Sequence, residues 1–168
     1  MEFRYSHIGL CVSDLEAALR FYCDGLGFER RNEMDIKGND HLFELPDPRF
    51  KAVYVSHGSL VLELLRFNSP NETTATGVRP LNRPGFTHLA LEVDDIDDVR
   101  ERIIRFGGTA RDSTRTYVRV DSIDFGEERA DGFSMLMCTD PDGNRMELVK
   151  SPGSPTQGLG ARLCWEAV

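Results

Sequence analysis

Four side chains in this sequence have the types and spacing to do chemistry together. His7 opens the run His7-Ile-Gly-Leu-Cys-Val-Ser-Asp14-Leu15, and His88 opens His88-Leu-Ala-Leu-Glu-Val-Asp-Asp95-Ile96. Both read His, apolar, small, Leu, any, Val, any, Asp, apolar, at an offset of 81 residues. A glutamate follows each: Glu63, in Leu60-Val-Leu-Glu63-Leu-Leu65, 56 residues after His7, and Glu147, in Arg145-Met-Glu147-Leu-Val149, 59 residues after His88. Each sits among mainly apolar neighbours, where an ionised carboxylate is costly unless it is paired or metal-bound. Two imidazoles and two carboxylates make a His₂Glu₂ donor set suited to Zn²⁺, Ni²⁺, Co²⁺, Mn²⁺ or Fe²⁺, without distinguishing among them. Four protein ligands leave a coordination position open, which a catalytic metal needs. Taken alone, any of the four would read as a packing or solvent-facing residue; the matched repetition is what points to a ligand set.

The elements that must carry these residues repeat as well. Ile8, Leu10 and Val12 alternate with His7, Gly9 and Cys11, and Leu89, Leu91 and Val93 alternate with His88, Ala90 and Glu92, so each module opens with a strand that puts its histidine opposite the apolar face. An acidic turn then starts a helix, with Ser13/Glu16 read as a capping box and Asp94/Asp97 as its analogue. Apolar stripes follow at helical spacing, Leu15, Leu19, Tyr22 and Leu26 in one copy and Ile96, Val99, Ile103 and Phe106 in the other. The pairs Gly25/Gly27 and Gly107/Gly108 end them. Two hairpins come next, Lys51–Ser56 with Leu60–Arg66 around His57-Gly58-Ser59, and Phe133–Thr139 with Arg145–Lys150 around Asp140-Pro-Asp-Gly-Asn144.

The chain is therefore read as α+β, with two βαβββ modules over about 3–67 and 84–150, a linker over 68–83 and a tail over 151–168 that carries Leu163 and Trp165. Segments 30–50 and 111–131 are polar and read as long loops at the site. Arg111, Arg115 and Arg119 fall in the second and are read as a solvated face. His41 and His57 have no repeat partner, and His57 is placed in a turn. Cys11 and Cys138 are read as small packing residues.

The 168 residues suit one domain able to bury about 70% of its unfolded surface. With 20 Lys and Arg against 28 Asp and Glu, the net charge is −8, which argues against a binder of phosphate backbones. There is no apolar run of membrane-spanning length, and Met1–Tyr5 lacks the apolar stretch of a secretory signal. The four cysteines form no Cys-x-x-Cys pair and imply reduced thiols. A cytoplasmic protein acting on a small molecule, with neither nucleic acid nor membrane as partner, is the expectation.

The paired His-x-(Gly/Ala)-Leu-x-Val-x-Asp strands, the segment Phe21-Tyr-Cys-Asp-Gly-Leu-Gly-Phe28 and the run Asp140-Pro-Asp-Gly-Asn-Arg-Met-Glu147-Leu148 resemble the vicinal oxygen chelate superfamily. That group includes glyoxalase I, methylmalonyl-CoA epimerase, extradiol dioxygenases and fosfomycin- or bleomycin-resistance proteins. The resemblance covers about 3–150 and implies curved sheets enclosing a metal cup, usually in a homodimer, with each site built within one chain or from two subunits. It implies that His7, Glu63, His88 and Glu147 ligate one divalent ion, with a substrate such as a thiol adduct or CoA thioester held through its oxygens. Glutamate at 63 leans toward glyoxalase I, because the epimerases usually place Gln there. The implied activity is a lyase or isomerase that moves a proton beside a carbonyl through a metal-stabilised enediolate, with Glu147, or failing that Glu63, as the base. Three other activities are implied less directly: an epimerase needing a second base, for which Glu44 is a position; a dioxygenase using His7, His88 and Glu147 with Glu63 behind them; and a drug-binding resistance protein, a class that lacks the ligands kept here.

Overall fold

A computed structural model describes residues 2, 4–70, 80–118 and 133–150 of the chain. The first module runs β1 (Ile8–Cys11), α1 (Leu15–Leu19), β2 (Glu29–Lys37), α2 (Asp40–Phe43), β3 (Arg49–His57) and β4 (Leu60–Ser69). The second runs β5 (Leu89–Glu92), α3 (Ile96–Arg105), β6 (Thr109–Ala110), β7 (Thr116–Val118), β8 (Phe133–Thr139) and β9 (Arg145–Lys150). One sheet has the order β1-β4-β3-β2 and the other β5-β9-β8-β6, with β7 also on β8. The expected α+β class with two βαβββ sheets is what the chain forms. Each first strand lies parallel to the last strand of its own sheet, an arrangement that needs the long crossover the helix and middle strands provide.

One face of each sheet makes the core. Leu62, Leu64, Val53 and Val55 from the first sheet meet Leu136, Cys138, Met146 and Leu148 from the second, with Leu15, Leu19, Phe21, Tyr22, Ile96 and Ile103 between them in a single cluster. Each such side chain contributes roughly 1.5–3 kcal/mol on leaving water. Because strand side chains alternate, the opposite face of both sheets is left for the histidines and glutamates.

The helix starts differ from expectation by one residue. Asp14 and Asp95, not Ser13 and Asp94, cap the helices, Asp14 accepting from the Ala17 amide and Asp95 from those of Asp97 and Asp98. The reason lies in the preceding strands: Val12 still donates to the Leu65 carbonyl and Val93 to the Val149 carbonyl, so the chain turns one residue later. The amide of Ser13 bonds Asp142 of the other module instead. Beyond Leu19 the helix widens into a π-type turn over Arg20–Gly25, which brings adjacent Phe21 and Tyr22 together into the core, edge to face at 5.0 Å. A strict 3.6-residue stripe does not include Phe21.

The two modules are tied where the first helix meets the β8–β9 turn. Buried Tyr22 donates to Asp140 Oδ2 at 2.9 Å, while Asp140 also accepts from the amides of Asp142 and Asn144 and from Asn144 Nδ2. Gly108 is required at this contact, since a Cβ there would stand 2.4 Å from the Thr139 carbonyl oxygen and 2.7 Å from the Phe21 ring.

Segment 30–50 is not the irregular loop expected. Residues to Lys37 form the edge strand β2, exposed on both faces with only Ile36 partly covered, so no alternation of apolar residues announces it. Pairing to β3 and the contacts of Glu33 with Arg30 and Lys51 hold it. In the second module its place is split between β6 and β7, joined by a 3₁₀ turn over Asp112–Thr114. The rest of segment 111–131, with Arg119, lies outside the described residues, as do most of the linker and the whole 151–168 tail. Among the described residues no helix is long and apolar enough to cross a membrane.

Candidate metal centre

Backbone register places each His–Glu pair. In the first sheet Gly9 stands opposite Glu63, and in the second Ala90 stands opposite Glu147. The histidine lies two residues before Gly9 or Ala90, so period-two alternation puts it on the same face as the glutamate. His7 Nε2 is 3.3 Å from Glu63 Oε2, and His88 Nε2 is 3.0 Å from Glu147 Oε2. Both glutamates are largely buried and both histidines about one-third exposed, so each pair has a solvent-facing side.

A hydroxyl residue precedes each histidine and orients its ring. Ser6 Oγ is 2.9 Å from His7 Nδ1, and Thr87 Oγ1 is 3.0 Å from His88 Nδ1. A hydroxyl at Nδ1 restrains the ring and aims Nε2, and it serves as donor or acceptor according to the tautomer. The sequence carries this signal, a hydroxyl residue directly before both histidines, although the ligand spacing does not depend on it.

The pairs differ in what holds the glutamate from behind. Tyr54, opposite Glu63 on β3, donates to Glu63 Oε1 at 2.6 Å and sets its ring edge to His7. That hydrogen bond, more than burial, pushes the Tyr54 phenol up to about 12, so it stays a donor. The matching residue opposite Glu147 is Met137, which has no proton to give.

The separations within each pair suit a shared cation. Two ligand atoms about 2.1 Å from one ion, at 90–110° to each other, stand roughly 3.0–3.4 Å apart. The donors, imidazole nitrogen and carboxylate oxygen, suit a first-row divalent ion. Within one chain, however, no group of three or more His, Cys, Asp or Glu among the described residues comes close enough to hold a metal. The structure thus brings His7 to Glu63 and His88 to Glu147, but does not bring the two pairs to one point.

The remaining candidates fall elsewhere. His41 is exposed on α2, and His57 ends β3 rather than lying in the turn, its ring 5.6 Å from Phe28. Glu44 is exposed at the left-handed end of α2. Arg115 is engaged by Asp97 through two bonds, and Arg111 is exposed. Cys138 is buried in the core, its thiol pushed to about 11 by that burial, whereas Cys11 is exposed on the histidine face of β1.

Comparison with known proteins bears on the family and the fold. A family model described as Glyoxalase/Bleomycin resistance protein/Dioxygenase superfamily matches residues 4–148. Lactoylglutathione lyase of Neisseria meningitidis is 29% identical over 151 residues, 88% of this chain and 90% of that protein. The mitochondrial methylmalonyl-CoA epimerase of Bos taurus is 29% identical over 106 residues, 61% of this chain and 55% of that protein. The chain spans 61% of the length of an Escherichia coli relative, to which it is 35% identical over 94 residues, and 55% of the length of the epimerase. The crystal structure of a glyoxalase family protein from Bacillus cereus superposes with a TM-score of 0.72 at 18% identity, covering 91% of this chain and 97% of that one, a likeness of fold.

Proposed function

The chain belongs to the Glyoxalase/Bleomycin resistance protein/Dioxygenase superfamily, and on that premise we propose that it is a divalent-metal-dependent lyase or isomerase that shifts a proton next to a carbonyl. The carrying observation is the pair of His–Glu contacts in equivalent register, His7 with Glu63 and His88 with Glu147. Because one chain holds the pairs apart, the reading assigns each complete site to two copies of the chain related by a two-fold axis, His7 and Glu63 from one and His88 and Glu147 from the other. Modules 3–67 and 84–150, joined through 68–83, are then the units that exchange neighbours.

When bound, the ion supplies a Lewis acid that lowers the cost of negative charge on the substrate's carbonyl oxygen. Ser6 and Thr87 hold the two imidazole rings in orientation. Glu147 takes the proton from a hydroxyl-bearing carbon beside the carbonyl, that C–H electron pair becomes a C=C bond and the carbonyl π pair moves onto its oxygen. The same carboxyl then returns the proton to the former carbonyl carbon, while the hydroxyl proton passes to the former carbonyl oxygen and the first carbon becomes the carbonyl. The exposed flank of each histidine gives a small molecule access, with a thiol adduct or a CoA thioester as the substrate class.

The dioxygenase alternative, with Glu63 behind a three-ligand site, is disfavoured because Glu63 meets His7 in the same geometry as Glu147 meets His88. The epimerase alternative needs a second base, and Glu44 is exposed on α2 with no contact to either pair among the described residues. A sequestering protein would not need the four ligands. Dialysis against Zn²⁺, Ni²⁺, Co²⁺, Mn²⁺ and Fe²⁺, followed by elemental analysis, should find about one tightly held ion per chain, and turnover in D₂O should place solvent deuterium on the product carbon. Protein that holds no ion under these conditions overturns the reading. So does a metal-loaded Glu147→Gln variant with undiminished turnover.

A further inference from the structure

We infer that Tyr54 is a positioning residue that fixes Glu63 as a stationary ligand and, by having no counterpart in the second module, leaves Glu147 as the carboxylate free to move. The inference rests on the metal-centre reading above and adds a division of labour between its two glutamates.

Position 54 and position 137 are equivalent in the two sheets. Tyr54 is registered against Glu63, as Met137 is against Glu147. On β3 the flanking residues Val53 and Val55 are buried in the core; on β8 the flanking residues Leu136 and Cys138 are. Tyr54 and Met137 therefore both rise from the histidine face. Only the tyrosine offers a donor. It takes Glu63 Oε1 at 2.6 Å, while Oε2 of the same carboxylate stays 3.3 Å from His7 Nε2. Glu63 is thus held at both oxygens and cannot rotate about its terminal bond without losing one contact. Glu147 faces His88 through Oε2 alone, and no second partner holds it among the described residues. A carboxylate that must leave a ligand position, accept a proton and return is better built with one tether than with two, whereas a carboxylate that only ligates gains from being aimed. Outer partners of metal ligands typically change metal affinity 10–100-fold when removed.

The geometry makes an exchange experiment possible. Tyr54→Phe removes one oxygen and keeps the ring, so folding should survive. Met137→Tyr introduces the missing donor beside Glu147. Each variant and the double variant would be loaded with Co²⁺, and three quantities compared with the original chain: metal affinity by chelator competition, the visible ligand-field spectrum, and thermal midpoint. Tyr54→Phe should weaken Co²⁺ binding about tenfold and shift the spectrum, with the thermal midpoint of the metal-free protein little changed. Met137→Tyr should keep or tighten Co²⁺ binding while slowing exchange of substrate hydrogen with solvent. Original protein that binds Co²⁺ while Tyr54→Phe leaves affinity and spectrum unaltered would overturn the inference and spare the metal-centre reading. A Met137→Tyr variant that folds, binds Co²⁺ and exchanges hydrogen at the original rate would overturn it too. Original protein that fails to bind Co²⁺ would bring down the metal-centre reading itself, and this inference with it.

Discussion

The two modules share a backbone plan and differ in what their side chains do with it. Gly9 faces Glu63 as Ala90 faces Glu147, and a hydroxyl residue orients the histidine in both. Behind the glutamate the first module has a phenol and the second a thioether. At the outer edge the first has nine residues of continuous strand, whereas the second breaks the same position into β6 and β7. The modules are alike in the parts that set where the donors stand and differ in the parts that set how firmly they are held. Equivalent positions in a repeated fold are therefore good guides to which side chains meet and poor guides to what each contact does.

The same contrast at the glycines that follow the helices gives the largest expected effect. Gly108→Ala should cost about 3 kcal/mol in chemical denaturation, because its Cβ would enter the Thr139 carbonyl and the Phe21 ring. Gly27, by comparison, has open space around it and a φ of +77°, so Gly27→Ala should cost only about 1–2 kcal/mol, from backbone strain. Equal losses at the two positions would break the comparison. At the metal centre, His7→Ala and His88→Ala should each weaken ion binding by more than about a hundredfold, beyond the range for outer partners, and titration calorimetry would show whether the halves weigh equally.

Tyr22→Phe tests the tie between the modules. It removes the donor to buried Asp140 and should cost about 1–2 kcal/mol of stability. The smallest effect is a pH dependence. Burial holds the Asp140 carboxyl above its ordinary value, against the hydrogen bonds from Asn144 and Tyr22 that favour its charged form. A folded value above the unfolded one means that the contribution is fully present below the unfolded pKa, about 3.9, and is lost as pH rises through the folded value. The stability of the original chain relative to Asp140→Asn should accordingly fall across that interval and level off above it. A difference that grows with pH in thermal melts would contradict this assignment.

The two His–Glu contacts were legible because a period-two strand and a repeated interval fix both register and face. The β8–β9 hairpin was legible from Asp140-Pro-Asp-Gly-Asn144, whose Gly143 adopts a φ of +85°. Tyr54 could have been found by counting outward from the Gly58-Ser59 turn to Glu63, yet an aromatic residue in a strand reads first as packing. Strand β2 left no trace, since charged residues occupy both of its faces. Its partner strand, not its own pattern, makes it a strand. The separation of the two His–Glu pairs within one chain was beyond the sequence, because periodicity describes each module alone and the contact between modules depends on Phe21, Tyr22, Gly108 and Asp140 meeting across it.

The account depends on a site shared between two copies, and complementation tests it directly. His7→Ala and His88→Ala chains would be co-expressed with different tags, the mixed dimer isolated through both, and its bound metal counted. One of its two sites would contain both losses and the other none, so the mixed dimer should hold about half the metal of the original dimer, while each variant alone holds almost none. A mixed dimer as empty as its parents would contradict the shared site.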